Sequence, residues 1–386
     1  MNHILEISGN AIVGGVERTI HNLARGLPAH GFKVTCVSPY ESAVTAMLRE
    51  QGSPVYVTHM DDDPPWRSVQ FLTELIRHQQ IDLIHAHMPK AQVLGGLAGC
   101  LTGTPVVMTI HGMDISSWEL GILRTTGAHL TVVCQAAYAQ ALALGIPDER
   151  LHLIPNGVDL AAFRPQRSGG NFRKSLNIPA DAPLVGFVGR LSFEKGPDMF
   201  LQLAQHIHRQ DPSAHFAMVG DGPMRAELAE AAAAAGLEGS LHLAGVWPDM
   251  PAVYPAFDIL VQTSRVEGMP LTLLEAMASG VPVAAMNAGG VAEIVEVGTT
   301  GFLAAVGDWA GLGQAVLKLI ADPALKAQFA LAARRRVEQK FDLNACLARL
   351  ADEFRTLLGY SLSAENLESS PAMVQKGTGG NGTRLP

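Results

Sequence analysis

Two glutamates, Glu267 and Glu275, stand eight positions apart in the segment 267–280. The first lies in a loop beside glycine and proline. The second falls inside a predicted helix, which Pro270 opens and Gly280 ends. Because helical side chains point back toward the amino end of the helix, Glu275 is expected to face the start of this helix. A carboxylate there can accept both hydroxyls of a ribose, as acidic residues do in dinucleotide-binding folds.

The start of the same helix also predicts an anion site. The backbone N–H groups of Gly268, Met269 and Leu271 lie where unpaired amides and the helix dipole favour phosphate oxygens. The simpler interpretation is two surface glutamates that flank a core helix. That interpretation does not explain a loop glutamate beside glycine and proline, so we expect this segment to bind a phosphate and a ribose.

A second candidate is the segment 189–196, Gly-Arg-Leu-Ser-Phe-Glu-Lys-Gly, which directly follows a predicted strand. Arg190 and Lys195 then lie at the carboxyl end of a strand, the edge at which parallel sheets bind ligands. A guanidinium and an ammonium together can neutralise a diphosphate, and an acidic protein needs a reason to place them there. The alternative is an ordinary solvated loop.

Two weaker candidates follow other predicted strands. Gly14 and Gly15 precede a helix, where glycine lets an anion approach backbone amides, although a structural turn explains the pair equally well. This segment does not match the Gly-x-Gly-x-x-Gly fingerprint, which counts against NAD and FAD. His111 follows a strand and precedes Gly112, and its residue type alone leaves open whether it is structural or catalytic.

A run of acidic residues, Asp61 to Asp63, raises the question of a metal site. The run precedes two prolines in a loop, and positive charge is already supplied by Arg190 and Lys195. We therefore interpret it as a solvated turn and predict no metal site. The four cysteines are far apart and lack Cys-x-x-Cys spacing, so they predict neither disulfides nor zinc.

The composition excludes several classes of protein. The 386 residues are 48% hydrophobic and 17% charged, which is typical of a globular α/β protein with more than one domain. The net charge of −8 argues against a nucleic-acid partner. The amino terminus lacks the pattern of a signal peptide, and the charge-free stretch 93–110 is interrupted by glycines and a proline. A cytoplasmic protein is therefore expected.

Short β-rich runs alternate with helical patterns along the chain, which predicts right-handed crossovers and parallel sheets. The predicted strands are 4–7, 34–38, 83–85, 106–110, 130–133 and 152–154, then 184–188, 215–219, 241–244, 259–262, 281–285 and 301–304. Residues 17–30 are predicted as the first helix. The fold class is therefore α/β, with two Rossmann-like doubly wound domains that face a central cleft.

The predicted boundaries follow from a linker that begins at Pro155 and runs to about Pro183. The first domain takes residues 1–165 and the second takes residues 166–342. An amphipathic helix is predicted over 343–360. The tail 361–386 is rich in serine, glycine and asparagine and is expected to be disordered.

In this order and spacing, the motifs resemble those of family 4 of the retaining glycosyltransferases, which have the GT-B fold. The resemblance covers about residues 1–360, and no motif position departs from the family pattern. The segments that carry it are 14–15, 111–112, 156–159, 189–196, 219–223, the pair Glu267 and Glu275, and 289–293.

The resemblance implies roles for individual residues. Arg190 and Lys195 would hold the diphosphate of a nucleotide sugar, and Glu275 would hold its ribose. Glu267 would contact the donor sugar, with His111 beside that sugar at the reaction centre. The last helix would cross back onto the first domain.

The resemblance also implies a retaining, metal-independent transferase that uses front-face attack and no protein nucleophile, with domain closure about residues 156–159. The expected donor carries a hexose or N-acetylhexosamine, on UDP in preference to GDP, and no other cofactor is expected. The acceptor would be a glycan, polysaccharide or lipid-linked glycan reached through the first domain, which is compatible with peripheral contact with the inner membrane face.

Two alternatives stay open. One is a non-hydrolysing nucleotide-sugar epimerase of the same architecture, which would turn over the donor without an acceptor. The other is a non-catalytic nucleotide-sugar-binding subunit, which would predict erosion of the charged motif positions. No such erosion is seen.

Overall fold

The computed structural model describes residues 1–12, 14–61, 63–165 and 169–360. Asp62 and the tail 361–386 lie outside the described residues, so the predicted disorder of that tail stays a prediction. In the part of the chain that is described, no helix combines the length and the apolar character needed to cross a membrane.

The first half of the chain forms a parallel sheet of seven strands in the order β3-β2-β1-β4-β5-β6-β7. Its strands are β1 (Asn2–Ser8), β2 (Phe32–Ser38), β3 (Val55–Val57), β4 (Leu83–His87), β5 (Val106–Ile110), β6 (His129–Val132) and β7 (Leu151–Leu153). Its helices are α1 (Gly15–Gly26), α2 (Ala43–Glu50), α3 (Trp66–Gln79), α4 (Pro89–Thr102), α5 (Ser117–Thr126) and α6 (Gln135–Ala143).

The second half forms a parallel sheet of six strands in the order β10-β9-β8-β11-β12-β13. Its strands are β8 (Leu184–Val188), β9 (His215–Val219), β10 (Leu241–Gly245), β11 (Ile259–Gln262), β12 (Val283–Met286) and β13 (Gly301–Ala304). The remaining helices are α7 (Gly170–Ser175), α8 (Pro197–Gln210), α9 (Arg225–Ala234), α10 (Met250–Val253), α11 (Leu271–Ala278), α12 (Val291–Ile294), α13 (Trp309–Ala321), α14 (Pro323–Lys340) and α15 (Leu343–Leu357).

The predicted fold class is confirmed, because two parallel α/β units stand in tandem. In each sheet the strand order reverses once, between β1 and β4 in the first and between β8 and β11 in the second. Ligands of open α/β sheets bind at the carboxyl ends of the strands beside such a reversal. The two reversal points therefore mark where a site is expected.

Two details differ from the sequence prediction. The short edge strand β3 was not predicted, because its three residues are only partly buried and show no clear alternation. The helix predicted over 17–30 ends as an α-helix at Gly26 and continues as a 3₁₀ turn, Leu27–His30. Pro28 in that turn lacks the N–H group that an α-helix would require.

The chain passes between the two halves twice, and the two passages are tied together. The amide of Val158 donates to the carbonyl of Phe341 at 2.9 Å, and the amide of Leu343 donates to the carbonyl of Val158 at 3.0 Å. Helix α15 then packs its apolar face on the first sheet, where the rings of Phe354 and Phe32 meet edge to face. The two passages therefore lie side by side, in the region 156–159 about which domain closure is expected.

Candidate active site

The segment that carries Lys195 is held against the end of β11. Gly196 adopts a φ of 65°, and a Cβ there would lie 2.1 Å from the carbonyl oxygen of Thr263. Only glycine permits this approach. As a result, Lys195 Nζ reaches Oε1 of Glu267 and donates a hydrogen bond of 2.7 Å.

The carboxylate of Glu267 is bound asymmetrically. Its Oε1 accepts three hydrogen bonds of 2.7 Å, from Lys195 Nζ, Gln262 Nε2 and Ser264 Oγ. Its Oε2 accepts none from the described residues. The side chain is 8% exposed, so three donors fix its orientation while one oxygen stays available to a ligand. Gln262 and Ser264 were not singled out from the sequence, although their place at the end of a strand was a usable signal.

The amino end of α11 offers unpaired backbone donors. Pro270 is the N-cap residue, and it supplies neither a side-chain cap nor an N–H group. The amides of Gly268, Met269 and Leu271 donate to no acceptor among the described residues. Uncapped amides at a helix start favour an anion, so the structure leaves this end of the helix suited to phosphate.

Glu275 lies one turn further along α11 and is 3% exposed. Both of its oxygens are paired with protein groups. Arg18 Nη1 donates to Oε1 at 2.6 Å, and the hydroxyl of the buried Tyr254 donates to Oε2 at 2.6 Å. Neither partner was predicted from the sequence. The only indication of a role for Arg18 was its place in the first turn of α1, where the helix dipole disfavours a positive charge.

Gly14 and Gly15 lie at the start of α1, and both are exposed. Glu17, in the first turn of this helix, is 5% exposed, and burial raises its pKa. One of its carboxylate oxygens stands 3.0 Å from the position that a Cβ on Gly14 would take. An anion bound at these two glycines would therefore lie close to an acidic side chain.

His111 follows β5 and is half-buried. Its Nε2 lies 2.8 Å from Nδ1 of His87, and Nε2 of His87 lies 2.8 Å from Oε2 of Glu6. His85 Nδ1 lies 3.1 Å from the other oxygen of Glu6. Glu6, His85 and His87 are each at most 1% exposed. His111 was predicted from the sequence, but Glu6, His85 and His87 were not. The only indication of these three was a polar residue at alternate positions within the apolar strands β1 and β4.

Burial and mutual contacts set the pKa values in this cluster. Burial by itself raises the pKa of Glu6, but the charges and hydrogen bonds of His85 and His87 outweigh it and hold the pKa at about 2. Burial, together with His85, lowers the pKa of His87 to about 4 despite the nearby carboxylate. Burial likewise lowers the pKa of His111 well below its usual range.

The two halves meet where these groups lie. A Cβ on Gly268 would stand 2.1 Å from the carbonyl oxygen of His111, so the loop that follows Glu267 runs directly against His111. Asn156 Nδ2 donates to the carbonyl of Met269 at 2.8 Å. The structure thus brings together the chemistry-bearing residues from both sheets. Arg190 follows β8 and is exposed, and its guanidinium makes no hydrogen bond or ion pair with the described residues.

Glu6, His85 and His87 are also the one group among the described residues whose donor atoms stand close enough to share a metal ion, all within 4.8 Å. These atoms already bind one another through hydrogen bonds, which satisfies them without a metal. In the predicted solvated turn, Asp61 pairs with His59 at 3.0 Å, and both side chains are exposed.

Two family models match the chain, one in each half. Residues 13–162 match the model of the family described as Glycosyltransferase Family 4. Residues 170–336 match the model described as Glycosyl transferases group 1. The two matches divide the chain between its two sheets.

Relatives and solved structures match over most of the chain. An Escherichia coli UDP-Gal:alpha-D-GlcNAc-diphosphoundecaprenol alpha-1,3-galactosyltransferase is 27% identical over 81% of this chain and 87% of its own length. A Thermobispora bispora D-inositol 3-phosphate glycosyltransferase is 28% identical over 92% of each.

Among solved structures, Anabaena HepE in complex with UDP-glucose is 25% identical, with a TM-score of 0.82 over 92% of this chain and 99% of that one. The motifs, the two reversed sheets and the family matches lead to one conclusion: the chain belongs to the group 1 glycosyltransferases of family 4 and has the GT-B fold.

Proposed function

We propose that this glycosyltransferase retains the anomeric configuration and needs no metal. In this proposal it transfers a hexosyl or N-acetylhexosaminyl group from UDP to a glycan, polysaccharide or lipid-linked acceptor. The observation that carries the proposal is the carboxylate of Glu267. Three donors, among them Lys195, fix it through Oε1, and Oε2 accepts from no described residue. The next residue, Gly268, lies against the backbone carbonyl of His111.

The positive groups support transfer without a metal. The leaving UDP gains negative charge as the bond to the sugar breaks, and preorganised donors stabilise that charge. The guanidinium of Arg190 makes no hydrogen bond to a described residue, and Lys195 stands at the same edge of the second sheet. The amides at the start of α11 add donors that already point outward from the helix. Together these groups take the role that a divalent cation has in other transferases.

Similar proteins support UDP as the carrier. HepE is solved with UDP-glucose, and the Escherichia coli relative is named for UDP-galactose. The free Oε2 of Glu267 suits a hydroxyl of such a sugar, because a carboxylate accepts and does not donate. We therefore place the sugar between Glu267 and His111, and the ribose near Glu275.

A cavity in the first half of the chain suits the acceptor. Its volume is about 540 Å³, within the range of ordinary ligand pockets. It lies at the carboxyl ends of the first strands and is lined in part by Asn10, Tyr40, His59 and Lys90. We place the acceptor sugar here and the reaction in the cytoplasm, with peripheral contact with the inner membrane face where the acceptor is lipid-linked.

Nucleotide binding without metal is tested by thermal unfolding of the full chain in EDTA. UDP at a hundred times its dissociation constant should stabilise the protein by about 2.7 kcal/mol, with GDP as the comparison. Stabilisation that requires magnesium or manganese would contradict the metal-free part of the proposal.

The stereochemistry can be tested without knowing the acceptor. Slow hydrolysis of UDP-glucose, UDP-galactose or UDP-N-acetylglucosamine is followed by proton NMR, before the released sugar mutarotates. A retaining enzyme releases the α-anomer first from these α-linked donors, so early β-anomer would contradict retention. Appearance of an epimeric UDP-sugar would support the epimerase instead.

A further inference from the structure

Three groups form a hydrogen-bonded line from the core of the first sheet to the cleft. Glu6 in β1 binds His87 in β4 at 2.8 Å, and His87 binds His111 after β5 at 2.8 Å. Glu6 and His87 are fully buried, whereas His111 is half-buried at the cleft. The strands that carry Glu6 and His87 are neighbours at the reversal point of the sheet.

The protons in this line can be assigned one after another. An ionised carboxylate only accepts hydrogen bonds, so Nε2 of His87 must carry a hydrogen and donate to Glu6. Because His87 is neutral, its Nδ1 then holds a lone pair and can only accept. His111 must therefore donate through Nε2, which leaves the lone pair of the neutral imidazole on Nδ1. The pKa of about 2 for Glu6 and of about 4 for His87 agree with these charge states at neutral pH.

A branch of this line, here called the side arm, also binds the carboxylate of Glu6. It consists of His85, whose Nδ1 donates to Glu6, and Thr109, whose hydroxyl lies 2.7 Å from Nε2 of His85. With His87 and His111 neutral, the line from Glu6 to His111 carries one buried negative charge, that of Glu6. Nδ1 of His111 is the one imidazole nitrogen of this cluster without a hydrogen bond to a described residue.

We propose that Glu6 and His87 are positioning residues that fix the tautomer and the ring orientation of His111, so that its Nδ1 presents a hydrogen-bond acceptor to the cleft. Nδ1 of His111 then accepts a hydrogen bond from a hydroxyl of the bound sugar or acceptor, and the neutral ring places no positive charge beside the leaving group. The contact with a substrate hydroxyl rests on the proposed function, whereas the tautomer itself does not.

The tautomer is measured on the ligand-free full chain by ¹⁵N–¹H long-range NMR with labelled histidine. His111→Gln and His87→Gln assign the two rings by loss of their signals. The expected result is protonated Nε2 and unprotonated Nδ1 on both rings at pH 7. Protonated Nδ1 on His111, a doubly protonated His87, or a metal bound by Glu6, His85 and His87 in the purified protein would each overturn the proposal.

Two variants then separate positioning from general support of the fold. In Glu6→Gln an NH₂ donor replaces one of the two carboxylate oxygens, each of which lies within 3.1 Å of a histidine nitrogen that donates to it. This variant should mix the tautomers of His87 and His111 and lower kcat at least ~10-fold, with donor KM little changed, because about one hydrogen bond is lost. Thr109→Val breaks the side arm but leaves the line intact. It should keep the tautomer of His111 and most of the kcat.

Equal losses of kcat in Glu6→Gln and Thr109→Val, with the tautomer of His111 unchanged in both, would overturn the positioning role. Failure of the proposed function is distinguishable from this result. It would show as absence of donor turnover in the wild type, and it would leave the tautomer measurement intact.

Discussion

Arg18 in α1 donates a hydrogen bond of 2.6 Å to Oε1 of Glu275 in α11 and so joins the first domain to the second. Tyr254 occupies the other oxygen of the same carboxylate. Each oxygen of a carboxylate has two lone pairs, so one remains on each for the two hydroxyls of a ribose. Glu275 therefore has two tasks, a structural one between the domains and, in our proposal, a binding one.

Replacement of Glu275 should show both tasks. Glu275→Ala removes a charged hydrogen-bond partner that is worth about 1.5–3 kcal/mol, so we expect the Kd for UDP to rise ~10- to 150-fold. The melting temperature should also fall, because Arg18 and the buried Tyr254 lose their acceptor. The measurement is calorimetric titration with UDP alongside thermal unfolding.

Tyr254→Phe is the matched control, since it removes one support of the carboxylate and keeps the carboxylate itself. It should lower the melting temperature and leave UDP binding within a few-fold of the wild type. If Glu275→Ala binds UDP as tightly as the wild type, the placement of the ribose is wrong.

Glu267→Gln should act mainly on the chemical step. The amide oxygen can still accept from Lys195, Gln262 and Ser264, but the free acceptor of the wild type becomes an N–H donor. A hydroxyl held more strongly in the transition state loses its acceptor, so kcat should fall ~10- to 150-fold while UDP affinity changes little. Steady-state kinetics with varied donor concentration measure this split.

Ser264→Ala removes one of the three donors to Oε1 and leaves Oε2 unchanged, so its kcat should stay much closer to the wild-type value. A Glu267→Gln variant that loses UDP affinity and keeps kcat would show that the free oxygen does not act on the sugar in the transition state.

Gly290→Ala should weaken the contact between the two halves of the chain. An added Cβ would lie 2.4 Å from the carbonyl oxygen of Gly268 and 2.6 Å from Cβ of Cys134 in the first domain. Overpacking of this kind costs about 1–3 kcal/mol, so we expect a lower melting temperature together with weaker UDP binding. Gly121→Ala in α5 meets no atom within 4 Å and should leave UDP binding unchanged. Normal UDP affinity in Gly290→Ala would argue that the donor does not need this contact.

The buried histidine cluster should make stability depend on pH. The pKa of His87 falls from 6.5 in the unfolded chain to about 4 in the folded chain, so the unfolded state binds the extra proton first. Stability is fully present above pH 6.5 and is lost as the pH falls toward 4, by about 1.4 kcal/mol per unit of the shift. Glu6, with a pKa lowered from 4.5 to about 2, adds a further loss below pH 4.5.

Thermal unfolding between pH 7 and pH 4 measures this dependence. His87→Leu cannot take up the proton, so it should be less stable at pH 7 but should lose less stability on acidification. His78→Gln, at an exposed position of α3, serves as the control and should keep the wild-type slope. A wild-type slope in His87→Leu would contradict the assignment of the effect to this residue.

The sequence by itself determined the architecture and the set of candidate groups. Strands such as Val106–Ile110 and His215–Val219 are short, apolar and separated by helices, and this pattern permits little besides parallel sheets. Because such sheets bind ligands at the carboxyl ends of their strands, residues like Lys195 and His111 could be located in advance. The order and spacing of the sequence motifs then sufficed to identify the family.

Only the tertiary structure decided how these groups pair. Arg18 lies 257 positions from Glu275, and Glu6 lies 81 positions from His87, so no local pattern could connect them. The placement of three donors on one oxygen of Glu267 depends on how β11 and the short 3₁₀ turn Phe193–Lys195 pack together. A hydrogen bond is fixed by ångström-scale geometry, whereas a sequence pattern specifies which face of a strand or helix is buried. The sheets therefore follow from the pattern, and the chemistry at their edges follows from the packing.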